Sequence, residues 1–163
     1  MKIKVFVLTA LISTAVVSGA HGFGLGAQLN FSAGSIFAPG AALLISPSDK
    51  TNLAINWYLG STKDSIVGLT VDAVPLALPL IKGDVATFHL TLGVGLFVNA
   101  FLGDKFAVNA GLRIPAGFNV MLAKDVFEIF THIAPSFGVN FMPSLGLGKP
   151  FYPIALGARI WFR

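Results

Sequence analysis

Glu128, His132 and Ser136 stand four residues apart, and an acid, a base and a hydroxyl are the parts of a hydrolytic triad. The residues around them decide whether they can work as one. Ile129, Thr131 and Ile133 alternate with Glu128, Phe130 and His132, which is strand periodicity. On a strand, positions four apart lie roughly 13 Å apart, whereas a nucleophile and its base need about 3 Å. A triad would have to recruit groups from neighbouring strands. Metal chemistry finds less support. The chain has no cysteine, and His89 and His132 fall on non-adjacent strands with no His-x-His or His-x-x-x-His spacing. The glycine pairs Gly22-x-Gly24-x-Gly26 and Gly146-x-Gly148 precede no helix that would hold a phosphate. No cofactor is expected. What remains is ionic: Asp72, Arg113, Glu128 and Arg159 are the four mid-strand ions, two of each sign.

The elements carrying these residues are strands of one kind. Phe23, Leu25, Ala27, Leu29 and Phe31 interleave with glycine and polar residues. Phe88, Leu90, Leu92, Val94, Leu96 and Val98 do the same against Thr87, His89, Thr91, Gly93, Gly95 and Asn99. Each strand therefore has one apolar face and one small or polar face. A mean hydropathy of +0.80 is too high for a β domain whose outer face meets water. The fold class that fits is all-β: a transmembrane antiparallel up-and-down β-barrel with its apolar face in lipid, most simply of eight strands.

Residues 1–20 read as a signal peptide: Lys2 and Lys4, an apolar run from Val5 to Val17, then small residues, with cleavage after Ala20 or after Gly22. Residues 21–163 then form a single barrel domain. Without Lys2 and Lys4 the chain keeps nine Lys plus Arg against seven Asp plus Glu, and it has no basic block, so nucleic acid is not indicated. The absence of cysteine also excludes a disulfide framework and an acyl-lipid anchor.

Lysines mark the turns, at Ser48-Asp49-Lys50, Thr62-Lys63-Asp64, Lys82-Gly83-Asp84, Gly103-Asp104-Lys105, Lys124-Asp125 and Gly148-Lys149-Pro150. With the uncharged break Ser32–Gly40 they separate strands at 23–32, 40–46, 52–60, 65–74, 85–98, 106–121, 126–141 and 152–162. The outward hairpins fall near 33–39, 61–64, 99–105 and 142–151. Phe23, Phe31, Phe106, Phe118, Phe127, Phe137, Trp57 and Phe162 supply two aromatic girdles. Pro115 and Pro135 interrupt strands six and seven, but folding that hairpin about Lys124-Asp125 sets them nearly opposite, where one irregularity absorbs both.

Sorting by the non-lipid face collects a lumenal polar network of Asp72, His89, Arg113, Glu128, His132 and Arg159, beside amides such as Gln28, Asn30 and Asn56. An eight-stranded barrel is just wide enough for side chains to fill it, and buried ions there must pair. Arg113, Glu128 and Arg159 come from the last three strands, with Asp72 expected from across the barrel.

The last strand, Ile154 to Arg163, resembles the C-terminal signal read by the outer-membrane barrel assembly machinery, with Gly157, Ile160 and Phe162 at the matching positions. Arg163 after the aromatic and Ala155 at a commonly polar position depart from it. As a whole the chain resembles the small outer-membrane barrels of the OmpA-domain, OmpX and OmpW type. Gly111 to Asn119 and Asp125 to Ser136 are similar to a family of small spirochaetal surface barrels that brings no site residues. The resemblance implies a bacterial outer-membrane location, with the lipid bilayer and the assembly machinery as partners and the surface ligand unnamed. Three functions follow: a structural or surface-interaction barrel with a plugged lumen, a narrow channel or conduit for small or apolar molecules, and a lipid-modifying enzyme.

Overall fold

The computed structural model describes residues 22–33, 39–59, 65–103 and 106–162. The expected signal peptide and the expected cleavage after Ala20, the turn Thr62-Lys63-Asp64, Asp104-Lys105 and Arg163 lie outside the described residues. The chain crosses eight times: β1 Phe23–Ala33, β2 Gly40–Ser48, β3 Thr51–Leu59, β4 Ser65–Lys82, β5 Ala86–Leu102, β6 in two segments Ala107–Arg113 and Ala116–Leu122, β7 in two segments Phe127–Ile133 and Ser136–Met142, and β8 Tyr152–Phe162. Each crossing pairs antiparallel with the next, and β1 pairs with β8 from Phe23↔Phe162 to Ala33↔Tyr152, so the sheet closes. A two-residue strand, Gly146–Leu147, folds back on Val139 and Asn140 in the last hairpin.

Closure follows from the period-two pattern. On β1, Leu25, Leu29 and Phe31 are exposed while Gln28 and Asn30 are buried. On β5, Val94, Leu96 and Val98 are exposed while Phe97 and Asn99 are buried. The outer face is thus an apolar belt, a surface that is stable against hydrocarbon and not against water. Phe31, Trp57, Phe137 and Tyr152 ring its loop end, and Phe23, Phe118 and Phe162 its terminal end. Phe23 and Phe162 lie across the β1–β8 seam with ring centroids 6.3 Å apart.

β2 and β3 have nine residues each, enough for a tilted crossing of about 9–11 residues. Two boundaries move by more than two residues from the sequence reading. β4 does not end at residue 74 but runs to Lys82, because Leu76, Ala77 and Leu78 pair with Leu92, Thr91 and Leu90 across a bulge at Val74-Pro75. β5 runs on to Leu102, which shortens the third outward hairpin.

Pro115 and Pro135 meet as expected: β6 pairs with β7 up to Arg113↔Ser136 and resumes at Ala116↔Ile133. Pro153 of β8 continues the line. Gly93 donates to the Pro115 carbonyl, Ile114 to that of Pro135 and Ala134 to that of Pro153. A proline cannot return the bond, so one diagonal seam carries single rather than reciprocal hydrogen bonds.

The face assignment makes a direct prediction. Leu92 faces outward and is 42% exposed, whereas Thr91 lines the interior. Leu92→Arg should cost roughly 2–4 kcal/mol in refolding titrations, with Thr91→Arg costing less. Equal or reversed penalties would overturn the register.

Candidate functional site

The inner face is built in layers. Nearest the chain termini, Arg159 of β8 lies between the rings of Phe130 (5.2 Å) and Trp161 (4.8 Å). Its Nε stands 3.0 Å from Glu128 Oε2, and its Nη2 donates to Oε1 at 3.1 Å. Arg159 Nη1 donates to Ser46 Oγ and Asn52 Oδ1. Glu128 also accepts from Trp161 Nε1 at 2.7 Å and Asn119 Nδ2 at 2.8 Å. The pair is placed by register, because Arg159 sits directly opposite Glu128. Both residues are buried, and the donors around the carboxylate are what make a buried pair tolerable.

The second pair sits above it. Arg113 Nε lies 3.2 Å from Asp72 Oδ1, both buried. Asp72 is not across the barrel, as the sequence reading had it, but two strands away: Asp72 pairs with Gly95, and Gly95 with Arg113. The carboxylate reaches its partner through the space that the missing Gly95 side chain leaves, since a Cβ there would overlap Asp72 Oδ1. Arg113 Nη2 also stands 3.2 Å from His132 Nε2. An arginine N–H only donates, so that nitrogen must accept, which fixes His132 as the neutral Nδ1–H tautomer. The His132 ring stacks on Phe130, 5.9 Å between centroids, and so links the two ion pairs.

Further toward the loops, Gln28 donates to Asn30 (2.6 Å), Asn30 to Asn56 (2.9 Å) and Asn56 to Thr70 (3.5 Å), a chain of amides across β1, β3 and β4. Above it Tyr58, Ile66, Phe97 and Phe151 form a buried apolar cluster with Phe101 against it. Phe97 meets Phe151 edge-on at 5.1 Å.

Of the six polar residues singled out in the sequence, the structure brings Asp72, Arg113, His132, Glu128 and Arg159 into contact. His89 stands apart on β5 opposite Asn119, with no hydrogen bond at Nδ1. Glu128, His132 and Ser136 are not assembled as a triad: Ser136 Oγ donates to the Ala134 carbonyl at 2.7 Å, and His132 Nε2 faces Arg113. Among the described residues no group of three His, Cys, Asp or Glu could hold a metal ion. Of the three residues expected to form an assembly signal, Gly157 lies beneath the Phe130 ring, while Ile160 and Phe162 face outward.

Sequence reasoning left out Ser46, Asn52, Trp161 and Phe97. The alternation places Trp161 in phase with Arg159 and Phe97 in phase with Gly95 and Asn99, so the same phase argument could have found both.

No protein-family model matches the chain, and no curated protein matches it. Solved structures that it is similar to include the N-terminal β-barrel domain of Pseudomonas aeruginosa OprF (14% identity, TM-score 0.49, covering 87% of this chain and 98% of that one). Neisserial surface protein A is another (14%, 0.46, 86% and 96%), as is Ail, the attachment invasion locus protein of Yersinia pestis (14%, 0.40, 86% and 97%). The fold itself is a closed antiparallel barrel of eight crossings with an apolar outer face.

Proposed function

We propose that this chain is an integral protein of a bacterial outer membrane with a structural or surface-interaction role, its lumen plugged by its own side chains. One observation carries the reading: ion pairs, an amide chain and an aromatic cluster follow one another along the interior. Within these layers the inner cavity measures about 70 Å³, room for a few waters, while a wider space of about 580 Å³ adjoins it at the terminal end. The exposed apolar belt supports the membrane location, and the final strand supports recognition by the barrel assembly machinery through Gly157, Ile160 and Phe162.

Two measurements test it. The protein should fractionate with the outer membrane, resist carbonate extraction and change gel mobility on heating; a soluble periplasmic monomer would overturn the assignment. In planar bilayers the purified barrel should be electrically silent. Resolved single-channel steps would replace the plugged barrel with a narrow conduit.

A further inference from the structure

The apolar outer face does not have one height. β3 has 9 residues and β5 has 17. On β3 the outward positions run from Leu53 through Ile55 and Trp57 to Leu59, bounded in sequence by Asp49-Lys50 and Lys63-Asp64. On β5 they run from Phe88 to Leu102 without a polar residue. At roughly 3.3 Å per residue and about 45° of strand tilt, the two ladders stand about 14 Å and about 33 Å tall. The usual apolar band is about 25 Å. One wall falls short of it and the other exceeds it.

Leaning the barrel cannot reconcile them, because a lean raises the wall on one side as it lowers the other. The tall wall overshoots at both ends. At the terminal end β3 leaves β4 at Thr51↔Ala73. β4 and β5 continue together to Lys82↔Thr87, with Leu76, Leu78 and Leu80 exposed and, among the described residues, Pro75 and Pro79 on a free edge. At the loop end Leu147 pairs with Val139 of β7 beyond Tyr152, the level at which β1 stops. Leu147 shares the outward phase of Phe137 and Phe141, and all three are exposed. These side chains continue the belt without a break, so hydrocarbon is the cover that fits them. Trp57 marks the short wall independently. Indoles settle at the headgroup level, and Trp57 stands exposed beside the loop end of β3.

We propose that β2 and β3 pinch the bilayer. The lipid beside them thins toward the height of the Leu53–Leu59 ladder and regains its full height along β4 to β7. Such thinning presupposes the membrane location proposed above. The partner of this surface is a lipid annulus of unequal thickness, with the headgroups of the two leaflets nearest one another at β2 and β3.

The chain has no cysteine, so single cysteines carrying a nitroxide report depth through collisions with oxygen and with a nickel chelate. Leu53→Cys and Leu59→Cys mark the ends of the short ladder, Phe88→Cys and Leu102→Cys those of the tall one, and Leu96→Cys its middle. The protein is reconstituted in dimyristoyl phosphatidylcholine vesicles, and the heat-dependent gel shift confirms that each variant is folded. The four end labels should read one shared depth near the headgroups, and Leu96 a greater one. Leu53 and Leu59 immersed, with Phe88 and Leu102 open to the chelate, would mean a flat bilayer and overturn the pinch. All five labels open to the chelate would overturn the membrane location itself. Trp57 supplies a label-free check, with Trp57→Phe subtracting the Trp161 signal. Lipids brominated near the headgroup should quench Trp57 more than lipids brominated near the chain ends, and a longer host lipid should keep that order. Reversal in the longer lipid would show that the bilayer holds its thickness beside β3, and would overturn the pinch as well.

Discussion

Replacing Glu128 with leucine is expected to destabilise the barrel by about 3–5 kcal/mol, because it leaves the Arg159 guanidinium buried without its counter-charge. Arg159→Leu should cost a similar amount by stranding the carboxylate. The double variant should lose much less than the two singles together, since neither orphan remains. Glu128→Leu combined with Arg113→Leu behaves differently: Arg113 is paired with Asp72, so those losses should add more nearly. Refolding titrations in detergent or lipid of the wild type, the three singles and the two doubles read both cycles. Additive losses for Glu128 and Arg159 would show that these residues do not act as a pair.

The second large effect is expected where there is no side chain at all. Gly95→Val sets a branched Cβ against the Asp72 carboxylate and the Val71 carbonyl oxygen. The ion pair with Arg113 is then pushed apart inside the barrel, and the loss should be about 3–5 kcal/mol, comparable to removing one partner. Gly95→Ala separates the causes. In an Asp72→Ala background part of its penalty should disappear, because the carboxylate that needed the space is gone. An undiminished penalty would place the whole cost on the backbone contact and remove Gly95 from any role in positioning the pair.

These two positions also mark how far the sequence could be read. Alternation alone separated the lipid face from the lumen and placed Glu128 and Arg159 on the same side, because the period of a strand is fixed by its backbone. Partnership required register. Asp72 could be matched to Arg113 only once Gly95 was known to lie between them, and nothing in the composition of β4 or β5 says so. The extension of β4 to Lys82 was hidden for a local reason: Pro75 and Pro79 read as strand breakers, yet at a free edge a missing N–H costs nothing. Pro115 and Pro135 were legible because their turn fixed their alignment, whereas Pro153, across a separate loop, could not be added to them. Trp161 and Phe97 lay within reach of the phase argument, since each stands two residues from a lumenal position, Arg159 and Asn99.

The seam through Pro115, Pro135 and Pro153 has a mechanical consequence. Above and below it, β6 and β7 form two separate seven-residue ladders, joined where each strand gives one hydrogen bond and receives none in return. Bending the wall along that line distorts fewer bonds than bending it anywhere else on those strands. A bilayer thicker or thinner than the apolar belt imposes a strain that a rigid cylinder must relieve by tilting or by deforming the lipid. This cylinder is jointed on one side, and hydrophobic mismatch is absorbed there first.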